Sequence, residues 1–367
     1  MSAPGPTPDR LTFEHRTLPQ RVLFGSGSAA ANLREELEQL GSRRPMVVVT
    51  GSAAAVARRL LEGTGVAVWF EDVVQHVPVA SAEQARAAAQ QHDVDVVVSI
   101  GGGSATGLAK AVALTTALPV VAVPTTYAGS EATDVWGMTQ DGRKRTGSDG
   151  RVLPRTVVYD AELTVSMPVG LSVASGLNAM AHCVDSLWGP RADPVATGLA
   201  TEGVRLLAEE LPLVVADPQD LRGRERALAG AYLAAVAFAA AGSGLHHKIC
   251  HVLGGRFDLP HAQMHAVVLP HVLAFNAPAA PGAARRLAEA LGAEDAVAGL
   301  AALYDELDAP RSLRELGLQE SDLPEATELV LGQVPPSNPR PVDRDSLAQV
   351  LRAAWEGDLP GTGGRPV

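Results

Sequence analysis

Apolar residues in the first half of the chain occur in short, mostly β-branched runs, separated by Ala-rich stretches with helical periodicity. Apolar strands that alternate with helices are typical of a parallel sheet covered on both faces. Strands are expected at 21–24, 46–50, 66–70, 94–100 and 120–123, and helices at 30–40, 53–61, 82–91 and 105–116. The pattern therefore predicts an α/β fold for this part of the chain, with helices on both faces of the sheet.

The pattern changes near residue 165, after which strand-like runs almost disappear and helical periodicity dominates. Helices are expected at 170–187, 195–211, 222–240, 243–253, 281–291, 295–306, 321–331 and 343–355. We therefore predict two domains, an α/β domain over 1–165 and an all-α domain over 166–367. Ligands of parallel sheets bind beyond the carboxyl ends of the strands, so the cleft between the two domains is the expected site.

The composition favours a globular protein of the cytoplasm. Hydrophobic residues make up 46% of the 367 positions, and 30 Lys and Arg against 41 Asp and Glu give a formal charge of −11. This acidic balance argues against nucleic-acid binding, which requires a basic surface. No apolar run has the length of a membrane span, and the first ten residues do not resemble a signal peptide. Two cysteines are too few for a disulfide framework and suggest a reducing compartment.

Two glycine-rich segments follow predicted strands and precede predicted helices, as phosphate-binding loops do. Residues 25–30 (Gly-Ser-Gly-Ser-Ala-Ala) match a dinucleotide-binding pattern, but the next strand lacks the acidic residue that contacts the ribose. A simple tight turn is the alternative there. Residues 101–104 (Gly-Gly-Gly-Ser) let the backbone approach a phosphate, and the helix start offers unpaired N–H groups. The second segment is the favoured phosphate site.

The strand at 120–123 leads into another polar loop, Pro-Thr-Thr-Tyr-Ala-Gly-Ser-Glu at 124–131. Both loops lie at the same edge of the sheet, because each follows the carboxyl end of a parallel strand. Together they predict a nucleotide cofactor. The candidate cofactor-binding residues are Gly101, Gly102, Gly103, Ser104, Thr125, Thr126, Tyr127 and Ser130.

Histidine is concentrated in one segment of the second half. Six of the ten histidines lie between 246 and 271, namely His246, His247, His251, His261, His265 and His271. On a helix, His247 and His251 share a face, and so do Asn178 and His182. A cluster this dense favours a functional site over a purely structural role.

The loops and the histidine spacing resemble those of the iron-containing alcohol dehydrogenase superfamily. The shared motifs are the segments at 101–104 and 124–131 and the pattern H-x3-H-x2-G-G-x4-P-H from His247 to His261. The resemblance covers nearly the whole chain. It implies a dehydroquinate synthase-like fold, in which an α/β dinucleotide-binding domain precedes an all-helical catalytic domain, and it implies NADH or NADPH as the cofactor.

Within the superfamily, the chain most resembles the maleylacetate reductases. The segments that carry this likeness are Gly-Leu-Ala-Lys at 107–110, Ser-Gly-Leu-Asn at 175–178, Gly-Leu-His-His-Lys at 244–248 and Asn-Pro-Arg-Pro at 338–341. The resemblance implies an NAD(P)H-dependent reductase of the conjugated C=C bond of maleylacetate, giving 3-oxoadipate, or of a related unsaturated oxo-dicarboxylic acid. It also implies a homodimer.

Metal-dependent members of the superfamily hold iron or zinc with one Asp and three His. The matching positions here are Asn178, His182, His247 and His261. Asparagine is neutral and a weaker ligand than a carboxylate, so four neutral groups would face a dication without charge compensation. Maleylacetate reductases resemble this chain in carrying Asn there. We therefore expect catalysis without a tightly bound metal, and we expect the three histidines to be the ligands if a metal binds.

The expected reaction places negative charge on a substrate oxygen, which oriented donors must stabilise. His251 is the expected proton donor or enolate-stabilising acid, because imidazole titrates near neutral pH. The catalytic candidates are His251, His247, His182 and Lys248, and the substrate-binding candidates are Asn178, His261 and Arg155. The last of these belongs to a basic stretch at 143–155, whose guanidinium groups suit a dicarboxylate.

Three alternatives remain. The first is a metal-assisted NAD(P)-dependent alcohol dehydrogenase or carbonyl reductase. The second is a relative that acts on another unsaturated oxo-acid. It is motivated by Gln263 and Met264, because the comparable segment of maleylacetate reductases looks like Glu-Thr. The third is a non-catalytic, cofactor-binding scaffold, against which the retention of both glycine loops and the histidines argues.

Overall fold

The computed structural model describes residues 11–140 and 143–361. The strands in this part of the chain are β1 (Arg21–Phe24), β2 (Pro45–Val49), β3 (Val68–Phe70), β4 (Val96–Gly101), β5 (Val120–Pro124), β6 (Val135–Gln140), β7 (Arg143–Ser148) and β8 (Thr156–Tyr159). Six of them form a parallel sheet in the order β1-β8-β5-β4-β2-β3, and β6 and β7 form an antiparallel hairpin. The carboxyl ends of all six parallel strands therefore lie at one edge.

Helices connect the first strands of this sheet. They are α1 (Ala29–Gln39), α2 (Ala54–Leu60), α3 (Val79–Gln91) and α4 (Gly103–Thr116). Every residue of β2, β4 and β5 is buried, because apolar side chains from α1 and α2 pack on one face and those from α3 and α4 on the other. The α/β fold predicted from the apolar runs is confirmed.

The hairpin and β8 are absent from the predicted elements. The sequence Thr-Val-Val-Tyr of β8 is only four residues long and follows a polar segment, so its pattern is weak. It is nevertheless fully buried, because it pairs with both β1 and β5. Its place in the sheet is a consequence of long-range pairing.

The rest of the described chain is helical. Its helices are α5 (Val169–Ser186), α6 (Pro194–Ala216), α7 (Leu221–Ala241), α8 (Leu245–Phe257), α9 (His261–Asn276), α10 (Pro281–Ala290), α11 (Ala296–Glu306), α12 (Leu323–Leu331) and α13 (Arg344–Glu356). Four aspartates cap helix starts by accepting backbone N–H bonds: Asp193, Asp220, Asp295 and Asp343. The predicted helical character is confirmed, and the division into domains at residue 165 stays a prediction.

Helix α5 is the centre of this helical part and packs against α6, α7 and α9. Helix α9 is not among the predicted elements, because it is apolar on almost every side and contains Pro270, so it shows no amphipathic period. It lies between two apolar clusters and contributes residues to both. The missed helix is therefore a core element.

Helices α7 and α8 are joined by a sharp bend of 100°. The bend passes through Gly242, whose φ of 83° favours glycine, and Gly244 is the N-cap of α8. No single helix of the described chain has the length and apolar composition of a membrane span. The bent pair of α7 and α8 reaches them only when the two helices are taken together. The bend directs the start of α8 towards α5.

Candidate active site

A cavity of about 410 Å³ lies between the carboxyl edge of the sheet and helices α5, α8 and α9. Its walls come from the loops that follow β4 and β5 and from the polar faces of these helices, so both halves of the chain contribute. The predicted site residues in the wall are Gly102, Gly103, Ser104, Thr125, Thr126, Ser130, Asn178, His182, His247, His251 and His261. The fold thus brings together two predicted groups of residues that are far apart in sequence.

The glycine segment at 101–104 forms one wall. Gly101 ends β4 with a φ of 147°, a conformation that favours glycine. A Cβ atom on Gly102 would lie 3.1 Å from Thr126 Cγ2, and one on Gly103 would lie 3.3 Å from Ala128 Cβ. The two predicted loops are therefore packed against each other. No described side chain caps α4, so its first N–H groups are available to an anion in the cavity.

Two of the predicted cofactor residues lie behind this wall. Gly101 is buried, and Tyr127 is fully buried with its backbone N–H donating to Ser175 Oγ at 3.1 Å. Neither residue lines the cavity. Their effect on a ligand is therefore limited to shaping the loops, because the neighbouring residues Gly102, Thr126 and Ala128 form the surface.

The first glycine segment, at 25–30, does not offer a phosphate site. The carboxylate of Asp160 accepts hydrogen bonds from the backbone N–H groups of Gly27 and Ala29, both at 3.0 Å. A carboxylate from the chain itself therefore already occupies the position of an anion at the start of α1. The structure supports the tight-turn alternative for this segment.

Lys110 was not among the candidate site residues, although it organises the loop after β5. Its ammonium group is fully buried and donates to the carbonyl oxygens of Ser130 (2.5 Å), Thr133 (2.8 Å) and Val135 (2.9 Å). Burial lowers the pKa of Lys110 to about 7, against the opposing influence of Glu131. One cation from α4 thus holds three carbonyl groups of a segment that lines the cavity.

Asn178 and His182 lie one turn apart on α5, as predicted, and both are in the cavity wall. Asn178 Oδ1 and His182 Nδ1 are buried and have no hydrogen-bond partner among the described residues. Burial lowers the pKa of His182 to about 4, so its imidazole is neutral at physiological pH. The wall here offers polar atoms whose partners must come from a ligand or water.

A carboxylate–histidine pair connects α5 with α8. Asp185 Oδ2 lies 2.7 Å from His247 Nδ1, and it also accepts the backbone N–H of Gly244 at 2.9 Å. Burial raises the pKa of Asp185, and the nearby His246 ring and the backbone N–H groups of His247 and Gly244 oppose this effect. A Cβ on Gly244 would lie 2.5 Å from Asp185 Oδ1, so this contact requires glycine. The pair orients the His247 ring so that Nε2 points away from Asp185.

Sequence reasoning missed Asp185. The available signal was its spacing, because a residue three positions after His182 lies on the same face of α5. The partner His247 is 62 positions away in the chain, so nothing local identifies the pair.

A second pair of buried side chains lies beside the first. His246 Nε2 on α8 is 2.9 Å from His265 Nδ1 on α9, and Cys250 Sγ lies 3.7 Å from the same His246 nitrogen. Burial lowers the pKa of His246 to about 3 and the pKa of His265 well below its usual value. Both imidazoles are therefore neutral, and His265 also lines the cavity.

The three histidines at the metal positions of the superfamily, His182, His247 and His261, do not form a group of converging ligand atoms among the described residues. Within the described residues, the group of three ligand-type side chains with atoms within 4.8 Å of one another is His246, His247 and His265, which is a different set. His182 instead stacks on His247 with ring centroids 5.0 Å apart and an interplanar angle of 16°. Asn178 also lacks a negative charge, so this set is a weaker ligand group for a dication than one that contains a carboxylate.

Lys248 does not line this cavity. It lies in the wall of an adjoining cavity of about 790 Å³, together with Arg16 and Arg191. The two cavities meet at Val135, Thr146, Phe238 and His251, which line both. Lys248 is half-buried, and none of the described carboxylates lies within salt-bridge distance of its ammonium group.

The predicted basic stretch does not reach either cavity as a group. Arg155 directly precedes β8, and its backbone pairs with Arg21 and Val120 at the amino edge of the sheet, opposite the cavity. Arg151 is bound to Asp149 at 2.6 Å. Arg145 lines neither cavity. The side chains of Arg143 and Lys144 lie outside the described part of the structure. This corrects the expectation that Arg155 binds substrate, because parallel pairing of β8 places it at the wrong edge.

Comparisons with known proteins agree with this architecture. The model of the iron-containing alcohol dehydrogenase family matches residues 19–161, and the model of the C-terminal part of the Fe-containing alcohol dehydrogenase family matches residues 172–355. The chain belongs to the iron-containing alcohol dehydrogenase family and is an oxidoreductase.

Within that family, the chain is similar to maleylacetate reductases. It is 45% identical to the maleylacetate reductase of Sphingobium indicum, over 95% of this chain and 99% of that protein. The crystal structure of an iron-containing alcohol dehydrogenase from Corynebacterium glutamicum superposes with a TM-score of 0.94 at 54% identity, covering 97% of this chain and 100% of that one. The maleylacetate reductase of Agrobacterium tumefaciens gives a TM-score of 0.89 at 42% identity, covering 96% and 100%.

Proposed function

We propose that this protein is an NAD(P)H-dependent reductase of the conjugated C=C bond of maleylacetate, giving 3-oxoadipate, and that it works without a tightly bound metal. The observation that carries the proposal is the lining of the cavity: imidazoles and side-chain amides face a glycine-rich helix start, and the described wall contains no Asp, Glu, Lys or Arg. The similarity to maleylacetate reductases over nearly the whole chain supports the choice of substrate.

The cofactor site is proposed at the loops after β4 and β5. Gly102, Gly103 and Ser104 would bind the pyrophosphate with the first N–H groups of α4, and Thr125 and Thr126 would contact it from the neighbouring loop. A nicotinamide held there supplies the hydride. The described residues provide no acidic or basic group in the cavity that would select between NADH and NADPH. Both cofactors therefore belong in the assay.

The helices supply the groups that act on the substrate. His251, at the junction of the two cavities, is proposed to donate a proton or stabilise the enolate. Asp185 holds His247 through Nδ1, and His182 stacks on that ring, so these imidazoles have defined orientations. Asn178 and His261 are proposed to bind the substrate, since both line the same wall.

Lys248 is proposed to bind the substrate carboxylate that extends into the adjoining cavity, because a dianion finds no cationic side chain in the described wall of the first. For Lys248→Met we expect KM for maleylacetate to rise about 10- to 100-fold, because one charge-assisted hydrogen bond to the substrate is lost. The kcat should change by less than about threefold. Lys248→Arg serves as the control and should retain most of the affinity. A half-amide of maleylacetate that lacks this charge should show no such difference; an equal loss with both substrates would contradict the assignment.

The function is tested by measuring NADH and NADPH oxidation with maleylacetate, with other unsaturated oxo-acids and with simple aldehydes. We expect oxidation with maleylacetate that is unchanged after exhaustive treatment with a chelator. Activity that disappears with chelator and returns with iron or zinc would favour the metal-dependent alternative. Cofactor binding without oxidation of any substrate would favour a non-catalytic scaffold. Other oxo-acids belong in the panel because Gln263 lines the cavity.

A homodimer in the cytoplasm completes the proposal. The strand β1 is at the edge of the sheet, and the side chain of Phe24 at its end is 43% exposed. Exposed apolar groups next to an open sheet edge are typical of a subunit interface. The use of NAD(P)H agrees with a cytoplasmic location.

A further inference from the structure

His265 combines two properties that the proposed mechanism does not yet use. Its side chain is only 1% exposed, but it lies in the wall of the reaction cavity. Its Nδ1 is 2.9 Å from His246 Nε2, whereas its Nε2 has no hydrogen-bond partner among the described residues. A buried polar atom in a cavity wall without a protein partner is a natural contact for a ligand.

The hydrogen bond to His246 indicates which nitrogen of His265 carries the proton. If His246 Nε2–H donates to His265 Nδ1, then His265 carries its proton on Nε2, and His246 keeps only an unused lone pair on Nδ1. In the opposite arrangement, His246 Nδ1–H would be a buried donor without an acceptor in the described chain. Each arrangement leaves one N–H without an acceptor in the described chain. In the first arrangement this N–H belongs to His265, which lines the cavity, so a ligand there can accept it; in the second it belongs to His246, which does not line the cavity. A buried N–H that stays unpaired is costly, so the first arrangement is favoured when a ligand is bound.

We infer that His265 is a catalytic residue whose Nε2–H donates a hydrogen bond to the substrate oxygen that becomes negative during reduction, and that His246 is its positioning residue. The inference deepens the proposed function and rests on it. The bond keeps a neutral donor in a fixed orientation, so little reorganisation is needed when charge develops. The proton stays on His265, and protonation of the product carbon is left to His251 or water.

The first test is a set of variants at His265. His265→Leu removes the donor and is expected to lower kcat about 10²–10³-fold, as the loss of one oxyanion donor does. His265→Gln places an amide N–H near the position of Nε2 and should recover a substantial part of the rate. With deuterated nicotinamide, the isotope effect on kcat should increase in His265→Leu, because a slower hydride transfer becomes rate-limiting. A merely structural role would lower the amount of folded enzyme and leave the isotope effect unchanged.

The second test addresses His246, which does not line the cavity. His246→Leu removes the hydrogen bond that keeps the proton of His265 on Nε2, so kcat should fall. His246→Gln keeps an N–H donor and should retain a substantial part of the wild-type kcat. His271→Gln is the matched control, because His271 is also a buried histidine of α9, 3% exposed, but lies outside the cavity wall. This control should leave kcat and the isotope effect unchanged.

The outcomes separate this inference from the proposed function. Wild-type protein that oxidises no NAD(P)H with any oxo-acid would refute the proposed function itself. Active wild type with a His265→Leu variant that keeps kcat within about threefold would refute only the role of His265. Stoichiometric zinc or iron in the active wild type that is lost in His246→Leu would also overturn it, because the two nitrogens would then be ligands rather than donor and acceptor.

Discussion

Replacing His251 with alanine is expected to reduce kcat for maleylacetate by about 10²–10⁴-fold, the usual contribution of a positioned general acid or base. His251 lies one turn after His247 on α8, with ring centroids 6.2 Å apart, and it lines both cavities. No other described residue combines an imidazole with this position between the reacting centre and Lys248. Steady-state kinetics over a range of pH provide the measurement, because loss of the acid should also remove one limb of the profile.

His92→Ala is the matched control for this change. His92 is an exposed histidine at the end of α3, and it lines neither cavity. Its removal should leave kcat and the pH profile as in the wild type. An effect of His251→Ala that is confined to KM would assign His251 to substrate binding instead of proton transfer.

Replacing Asp185 is expected to affect both activity and stability. In Asp185→Asn the side chain keeps its shape but loses the charge that orients His247, so kcat should fall on the order of 10²–10⁴-fold, as in other carboxylate–histidine pairs that lose the charge. In Asp185→Ala, His247 Nδ1 and the Gly244 N–H lose their buried partner. The free energy of unfolding should then fall by about 3–5 kcal/mol, which denaturant titration measures.

Asp160 offers a comparison for Asp185. It is also a buried carboxylate that receives the N–H groups of a helix start, from Gly27 and Ala29, but it lies outside the cavity wall. Asp160→Asn should weaken the fold and leave the kcat of the remaining folded enzyme unchanged. If Asp185→Asn behaves in the same way as Asp160→Asn, the role of Asp185 is confined to stability.

Local pattern was sufficient for the buried strands and for most helices. The runs of β2, β4 and β5 are continuously apolar because both faces of the sheet are covered, and that composition is visible in the sequence. It was insufficient for β8 and α9. The strand β8 has only four residues and follows a polar segment, so its apolar run is too short to stand out. Helix α9 is buried on almost every side, so its residues do not follow the period of an amphipathic helix.

The candidate site shows the same division. The glycine loop at 101–104 and the histidines of α8 have the motifs and spacing that predict a site, and the structure places most of them around one cavity. The segment at 25–30 has a comparable motif, but Asp160, more than 130 positions away, takes its N–H groups. Arg155 has a suitable charge and lies at the opposite edge of the sheet. Motif and charge alone therefore did not decide which candidates meet.

The sequence by itself determined most of the strands and helices, the position of the glycine loops, the presence of the histidine cluster and the replacement of a carboxylate by Asn178. These are properties of neighbouring residues, set by backbone propensity, side-chain period and composition. Only the tertiary structure decided that Asp185 orients His247, that His246 pairs with His265 and that Lys248 belongs to an adjoining cavity. Each of these contacts joins different elements, and its distance depends on how the helices pack after the hydrophobic core has formed.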